Sequence, residues 1–459
     1  MNSVDMSREN SILRIHKILP TGLLNKINRN QFGYKSLGIV FIIGVMTFLL
    51  WLSNRMEGNF QFLLVMAKVS ALIGICFLSF TIFLSLRLHF MESLFGGLDK
   101  VYKAHHLIGQ ITMLVILLHP VFLIIRVFPN WNLISMYLIP GLSIPYTYGI
   151  VSFFLLVLLL IFTLIIKLPY KIWHLSHKFM GIVLILATWH ALVAGRDVLQ
   201  YPIIRAWILI FAIVGIFSYF YMLVFYQLIG PRFNAEVKEV KTRGDITEIK
   251  FKTLNKKMNF YPGQFVFIKF LNLEKSFEIF PFSISSSNSE ELIRISAKRS
   301  GDFTSYHLPR INFGDKVFLY GPYGKFGEKY LFENKDMLWI AGGIGLTPFL
   351  SMLKHEDLSK NNKIDFIWSC KDENDVIYDK EIKEIIKNKN NIQYRLWLSN
   401  DLGRISAGNI IKLFEAEEKI TNKLIFICGP NEMMMELADQ FIKLGVKPRN
   451  IIFEDFKLI

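Results

Sequence analysis

Six apolar runs constrain this chain more than anything else in it. All lie before residue 230, at roughly 37–53, 62–86, 104–126, 147–166, 174–194 and 203–228. Each is close to the ~20 residues that a helix needs to cross the hydrocarbon core of a bilayer. Two of the runs carry paired histidines. His105 and His119 stand near the two ends of one, and His177 and His190 near the two ends of the other. Both pairs open alike, with Gly109 four residues after His105 and Gly181 four after His177. Ionisable residues inside a membrane are costly and are functional candidates by default. Imidazole nitrogen is a standard axial ligand of haem iron. Two histidines on each of two membrane helices can therefore hold two haems, one above the other.

Helical arithmetic tests this. The 14-residue step from His105 to His119 is almost four turns, about 21 Å, so both rings leave nearly one face at different depths. The 13-residue step from His177 to His190 leaves its rings about 140° apart in an ideal helix. A tightened turn or a helix crossing is needed there. A lone membrane histidine is more often a satisfied polar core residue; four in a duplicated pattern argue for ligands. His106 and His174 lie beside or one turn from proposed ligands, near the membrane edge where a histidine costs little. They are not expected to be ligands. No other buried charges are expected to line a path, which argues against a transporter.

Orientation follows from Lys and Arg in the short connections. One side has twelve: Arg8, Arg14, Lys17, Lys26, Arg29, Lys35, Arg87, Lys100, Lys103, Lys167, Lys171 and Lys178. The other has four: Arg55, Arg126, Arg196 and Arg205. Both termini are thus expected in the cytoplasm of a multi-pass cell-membrane protein. His105 then pairs with His177 on the cytoplasmic side, and His119 with His190 on the outer side. The apolar loop 127–146 lies outside, either capping the outer pair or resting at the headgroups. The cleavable leader of a secreted protein is not expected, since the first 36 residues are polar and basic. Short amphipathic surface helices or a solvated tail are both open for 1–36.

The chain has 459 residues, 52% of them hydrophobic, and a formal charge of +15. Basic flanks of membrane helices and a domain that handles anionic nucleotides account for that charge without nucleic acid. Three cysteines, Cys76, Cys370 and Cys428, make no disulfide framework. Four segments result: a cytoplasmic N-terminal segment 1–36, a six-helix transmembrane di-haem domain 37–230, an antiparallel β-barrel domain 231–335, and an α/β domain 336–459. The barrel is read from short strand-like runs separated by turns. The α/β unit is read from buried strands alternating with helical stretches.

The motifs follow this division. Phe280-Pro281-Phe282-Ser283-Ile284-Ser285-Ser286 lies between barrel strands, with serines suited to hydrogen-bond a flavin or its ribityl chain. Gly301-Asp302-Phe303-Thr304, preceded by Lys298 and Arg299, can seat a pyrophosphate on free backbone N–H groups. Gly342-Gly343-Ile344-Gly345-Leu346-Thr347-Pro348 follows a hydrophobic strand and opens a helix. Its glycines let backbone approach phosphate, although the spacing is not the dinucleotide GxGxxG. Cys428-Gly429-Pro430 ends a later strand of the same sheet, and ligands of open α/β sheets bind beyond the carboxyl ends of strands. Gly321-Pro322-Tyr323-Gly324, continuing to Gly327, joins barrel to sheet, where flavin and nicotinamide would meet. Arg404, after an α/β strand, is the candidate for the 2′-phosphate of NADPH.

The set FPFSISS, GDFT, GPYGKFG, AGGIGLTPFLSML and CGPNEMM, with the paired histidines, resembles bacterial members of the NADPH oxidase and ferric reductase family. The resemblance covers nearly everything from residue 37 to 457. It implies bis-histidine haem b at His105/His177 and His119/His190. It implies FAD at Pro281–Ser286 and Lys298–Thr304, and NADPH at Gly342–Pro348 and Cys428–Pro430. It puts Phe456 against the flavin ring, and makes Phe456 and Cys428 the candidate catalytic residues. Phe280 stands where the family usually has His, and three residues follow Phe456. The implied activity is electron transfer from NADPH through FAD and two haems to an outer acceptor, oxygen giving superoxide first and ferric chelates second. A haem-bearing sensor of nucleotide or partner, without turnover, is the reading from another class. Membrane lipid, NADPH and the acceptor are the expected partners, with no nucleic acid and no obligate protein partner.

Overall fold

The computed structural model describes residues 31–53, 61–166, 168–272, 279–301, 303–355, 362–415 and 420–454. Most of the N-terminal segment, Lys167, Asp302 and Phe456 therefore lie outside the described residues. The chain forms two compact units. One comprises residues 1–86 and 103–227, the other residues 87–102 and 228–459.

Among the described residues of the chain, six helices are long and apolar enough to cross a membrane: Gly33–Ser53, Phe62–Leu86, Leu98–Val127, Ile144–Ile165, Lys171–Ala194 and Pro202–Ile229. They coincide with the six apolar runs. The regular helices within them are α1 (Gln31–Ser53), α2 (Phe62–Phe83), α3 (Leu98–Val127), α4 (Ile144–Leu160), α5 (Tyr170–His177), α6 (Met180–Ala194) and α7 (Pro202–Phe220). The α2 span is the centre of the membrane unit: 72% of its apolar window is buried, against 11–33% for the others. Small residues let neighbours close on it, as is usual where no hydrophobic force drives membrane helices together. A Cβ on Gly215 of α7 would lie 2.8 Å from the Ser79 backbone of α2.

In the second unit, six antiparallel strands form a sheet: β1 (Arg232–Arg243), β2 (Ile246–Thr253), β3 (Phe265–Phe270), β4 (Phe280–Ser283), β5 (Ile293–Lys298) and β6 (Lys316–Tyr323). Their order is β4-β3-β6-β1-β2-β5. The two edges meet through a bridge between Ile284 and Ile295 and a bond from Ser285 N to the Arg294 carbonyl of 2.8 Å. The sheet thus curls into a barrel around Val237, Ile249, Phe251, Val266, Ile268, Ile295 and Leu319. One sequence expectation is corrected here. The FPFS motif does not lie between strands but is itself the edge strand β4, paired with β3. An edge place tolerates Pro281, which has no N–H to offer a second neighbour.

Five parallel strands follow: β7 (Met337–Gly342), β8 (Ile364–Cys370), β9 (Ile392–Leu398), β10 (Leu424–Cys428) and β11 (Ile451–Phe453), in the order β11-β10-β7-β8-β9. Helices α8 (Thr347–Leu353), α9 (Asp379–Ile386), α10 (Ala407–Phe414) and α11 (Asn431–Lys443) connect or flank them. Apolar cores form on both sheet faces, one around Trp339, Phe349, Phe366 and Phe426, the other around Ile340, Ile367, Ile427 and Phe441. From β7 the chain steps to β8 and β9 on one side, then returns to β10 on the other. The switch point thus lies between β7 and β10, the place where open α/β sheets take ligands.

The turns after β7 and β10 touch. A Cβ on Gly345 would sit 2.4 Å from the Cys428 carbonyl oxygen and 2.7 Å from the Gly429 Cα. Backbone cannot swing aside as a side-chain tip can. Gly345→Ala should therefore destabilise the full-length protein by about 1–3 kcal/mol, as overpacking does. Gly408→Ala, inside α10 with nothing nearer than 4.0 Å to a new Cβ, should be neutral or stabilising by up to about 1 kcal/mol. Denaturant unfolding of both variants checks this, and equal effects would contradict the apposition of the two turns.

Candidate functional site

The membrane unit brings the four histidines together in the expected pairs. His105 and His177 have ring centres 6.1 Å apart, and His119 and His190 6.4 Å apart. An imidazole nitrogen lies about 2 Å from a bound first-row metal ion, so two rings sharing one ion have centres about 6 Å apart. Both pairs have that separation. Three rings are also aimed from behind. His105 Nδ1 donates to the Thr81 carbonyl (2.7 Å), His119 Nδ1 to the Ala67 carbonyl (2.8 Å) and His190 Nδ1 to the Pro145 carbonyl (2.9 Å). A carbonyl only accepts, so Nδ1 carries the proton and Nε2 keeps its lone pair, the arrangement typical of a ligating histidine. His177 is held differently: its ring stacks on Trp173 at 5.4 Å, and its buried Nδ1 has no hydrogen-bond partner among the described residues. The residues present fit two bis-histidine haems.

Local sequence explains this aim. Thr81 lies near the end of α2, where helix carbonyls lose their intrahelical donors. Pro145 closes the 127–146 loop, which also sets Tyr146 edge-on to His190 at 6.5 Å. Gly149 makes room, since a Cβ there would lie 2.8 Å from the His190 ring. The 13-residue step is resolved by a break in the helix: α5 ends at His177 and α6 begins at Met180. His106 and His174 are exposed and belong to neither pair. A half-buried ion pair also stands in this unit. Lys68 and Asp197 form an ion pair at 2.7 Å, with side chains 33% and 15% exposed, and Trp51 Nε1 donates to the same carboxylate at 2.7 Å. Pairing is what makes such charges tolerable at that depth. Nothing in the sequence around Lys68 marked it. Arg126 donates to Gln61 at 3.0 Å.

In the second unit the candidate flavin residues gather at the closed edge of the barrel. Pro281, Phe282 and Ser283 are in β4, and Ile284, Ser285 and Ser286 follow, fully buried. Phe280, in place of the family's His, stacks on Phe303 with centres 3.7 Å apart. Thr304 Oγ1 accepts from the N–H groups of Ser300 (3.0 Å) and Gly301 (3.1 Å), so the Thr304 hydroxyl orders the turn expected to seat a pyrophosphate. Lys298 pairs with Asp375 at 2.6 Å. Gly342, Gly343, Gly345, Thr347 and Pro348 follow one another at the end of β7 and the start of α8, and a Cβ on Gly342 would lie 3.0 Å from Pro430. Gly343 has a φ of +52°, which glycine adopts without strain. Trp368 Nε1 donates to its carbonyl at 3.0 Å. The Cys428 thiol is buried at the end of β10. Arg404 is exposed, just beyond Gly403 on the loop after the edge strand β9.

Two features of this unit were not legible in the sequence. The first is a buried group centred on Arg294 in β5, which links Ser285, Glu248 and Glu381. The second surrounds the turn Gly321-Pro322-Tyr323-Gly324. His89 stacks on Tyr323 at 5.3 Å, Glu92 accepts from Gly324 N at 2.9 Å, and Arg87 lies 3.9 Å over the Phe267 ring. The segment 87–102, read from sequence only as a connection between membrane runs, is thus an element of this unit. The Glu92 hydrogen bond lifts the His89 imidazole above its ordinary range. Glu454, just after β11, is 4% exposed, and its Oε2 has no hydrogen-bond partner among the described residues. Burial, with Asp99 and Glu92 nearby and Lys100 opposing, pushes its carboxyl well above the usual carboxylate range.

A raised carboxyl pKa costs stability once the unfolded chain ionises. Below the unfolded value of ~4.3 both states hold the proton and nothing is lost. Above it, ionisation favours the unfolded chain, and stability falls with rising pH until the folded group ionises too. Glu454→Gln removes this slope. The variant should match the wild type near pH 4 and exceed it at pH 7–8, as read from melting temperature against pH. A variant that loses stability equally at both ends would show that Glu454 is not the group concerned.

Comparison with known proteins agrees with this division. Residues 70–188 match the family described as ferric reductase like transmembrane component, residues 232–326 an FAD-binding domain, and residues 339–439 an oxidoreductase NAD-binding domain. The sulfhydrogenase 2 subunit gamma of Pyrococcus furiosus is 28% identical over 233 residues, 47% of this chain and 79% of that one. Flavohemoprotein A of Dictyostelium discoideum is 30% identical over 236 residues, 48% of this chain. The match spans 58% of that relative's length. Among solved structures, the flavohem-like FAD/NAD binding domain of nitric oxide dioxygenase from Vibrio cholerae O1 biovar El Tor is similar at 22% identity and a TM-score of 0.42, covering 48% of this chain and 97% of that one. With a ferric reductase-like transmembrane component, an FAD-binding barrel and an NAD-binding α/β domain in that order, the chain has the architecture of the NADPH oxidase and ferric reductase-like family of membrane oxidoreductases.

Proposed function

We propose that this protein carries electrons from cytoplasmic NADPH, through FAD and two haems b, to an acceptor outside the cell membrane, with oxygen giving superoxide as the first choice. The observation that carries this reading is the double histidine pairing, with ring centres 6.1 and 6.4 Å apart, in a chain that also matches FAD- and NAD-binding families. Once bound, these groups supply the redox chemistry, turning one hydride from NADPH into two single-electron transfers. The chain's own part is placement and tuning. His105 and His177 would hold the haem nearer the cytoplasm, and His119 and His190 the outer one. Residues 281–286, 298 and 301–304 would hold FAD. Residues 342–348 and 428–430 would hold NADPH, with Cys428 beside the reacting ring and Phe456 against the flavin. The excess of Lys and Arg on one side of the helices puts both termini in the cytoplasm.

With both histidines of each pair spent on holding a haem, none of the four would leave a place on the iron for oxygen, and electron transfer to oxygen would be outer-sphere. The description of the matched transmembrane family favours a second reading, in which a ferric chelate is the acceptor. Purified protein should oxidise NADPH and reduce cytochrome c in a way that superoxide dismutase abolishes. Reduction that the dismutase leaves intact, with faster turnover on ferric chelates, would select the second reading. The reduced protein should show a low-spin b-type spectrum with two haems per chain. His119→Ala or His190→Ala should remove one haem, while His106→Ala should keep both.

Arg404 is the proposed partner of the 2′-phosphate. A guanidinium grips a phosphate bidentately, and such charged hydrogen bonds are worth about 1.5–3 kcal/mol each. Arg404→Ala should therefore raise KM for NADPH by about tenfold or more and leave KM for NADH nearly unchanged. Equal changes for both nucleotides would remove the assignment.

A further inference from the structure

We infer that Arg294 is a positioning residue that fixes the flavin-side loop against the nicotinamide-side helix, and so sets the geometry of hydride transfer. The inference rests on the proposed reading of the two nucleotide sites. Its grounds are a buried network that no motif contains. The Arg294 side chain is 6% exposed. On the barrel side its Nε donates to Ser285 Oγ at 3.1 Å and its Nη2 to the Ser285 carbonyl at 3.0 Å. Glu248 lies 3.4 Å from Nη1. On the α/β side it grips Glu381 of α9 at both oxygens, 3.1 Å from Nη1 and 2.9 Å from Nη2. Glu381 also pairs with Lys354 at 2.9 Å, the residue that ends α8. A second link runs directly: Ser351 of α8 donates to the Ser286 carbonyl at 2.8 Å, fully buried. Tyr378 adds a third, donating to Ser296 Oγ of β5 at 2.6 Å.

These links join two particular pieces of chain. Ser285 and Ser286 belong to the loop proposed for FAD, and α8 opens at the glycine turn proposed for NADPH. The planar fork of Arg294 serves both at once, donating from Nε and Nη2 to the barrel and from Nη1 and Nη2 to Glu381. A lysine, with one point of charge, cannot hold that geometry. Ser285 and Ser286 are fully buried at 0% exposure, and their side chains are spent on Arg294. They shape the loop from behind.

The test uses full-length, FAD-loaded protein and three variants: Arg294→Lys, Glu381→Gln and Ser351→Ala. Glu381 is 28% exposed, so its variant should fold even where Arg294→Lys does not. Three quantities are read: FAD content, the charge-transfer absorbance that NADP+ induces in the flavin, and the single-turnover rate of anaerobic flavin reduction by NADPH. The proposal expects FAD content and NADP+ affinity to stay near wild type. It expects the charge-transfer absorbance to fall and flavin reduction to slow by about tenfold or more, since a misplacement of ~1 Å can cost about a hundredfold. A brace that only stabilises the fold would lower the melting temperature and leave absorbance and rate alone in the folded fraction, and that result would overturn the proposal. So would loss of FAD in step with loss of rate. A wild type that takes up no FAD, or whose flavin NADPH does not reduce, overturns the reading of the nucleotide sites and this proposal with it. A wild type that is reduced, with variants that match its rate, overturns this proposal alone.

Discussion

A histidine within a membrane helix costs least when its polar nitrogens have partners, and three of the four paired histidines are placed to meet that requirement. Leaving a polar group unpaired in an apolar medium costs several kcal/mol. His105, His119 and His190 give their Nδ1 protons to backbone carbonyls of α2 and of the first turn of α4. Each bond occupies Nδ1 and leaves the Nε2 lone pair free to ligate. The central burial of α2 follows from the same need, because two of the three carbonyls are its own. The third comes from Pro145, in the first turn of α4, where the apolar segment 127–146 ends.

The second unit depends on a comparable economy. A barrel edge and a parallel-sheet switch point are each open to a ligand, but hydride chemistry needs the two openings to face one another. Hydrophobic packing does not fix such an angle finely, since apolar contacts are non-directional. Directional bonds do. The Arg294 group and the Ser351 link lie where the two domains meet, and they are buried, where hydrogen bonds are stronger and their loss costs more. Around the turn at Gly324 the segment 87–102 contributes Glu92 and Asp99, and Glu454 comes from beyond β11. Glu92 finds donors in Gly324 N–H and His89. Glu454 Oε2 finds none, which is why burial dominates its behaviour.

Much of this was legible in the sequence because it has a period or a fixed spacing. Six apolar runs gave six spans, and the histidine pairs followed from depth. The glycine turns at 342–345 and 428–430 were placed at the ends of two strands of one sheet, and the structure makes those strands neighbours with the turns in contact. What escaped reading has no period. Arg294 sits in a strand as any solvated Arg would, and its partners Glu248 and Glu381 are 46 and 87 residues away. His89 and Glu92 read as an ordinary connection because their partners lie more than two hundred residues on. The FPFS motif was placed between barrel strands; the edge position that lets a strand hold Pro281 is one that no local pattern reveals.

The second helix of the histidine pair shows where a period misleads and how the chain departs from it. Thirteen residues of ideal helix leave His177 and His190 about 140° apart, yet both rings meet their partners on α3. Between them the winding tightens. The N–H of Lys178 reaches only back to Leu175, that of Phe179 to Ser176 and that of Ile182 to Phe179. These are bonds to the third residue back rather than the fourth. A residue wound at three per turn advances about 20° more than one at 3.6 per turn. A turn or so wound this way recovers about 60–80°, and the break between α5 and α6 leaves each segment free to set the remainder by its own tilt. The constraint that survives is therefore the pairing at each depth. The helix yields its regularity between the two histidines, at a place where Lys178 and Phe179 are exposed and a strained turn disturbs no core.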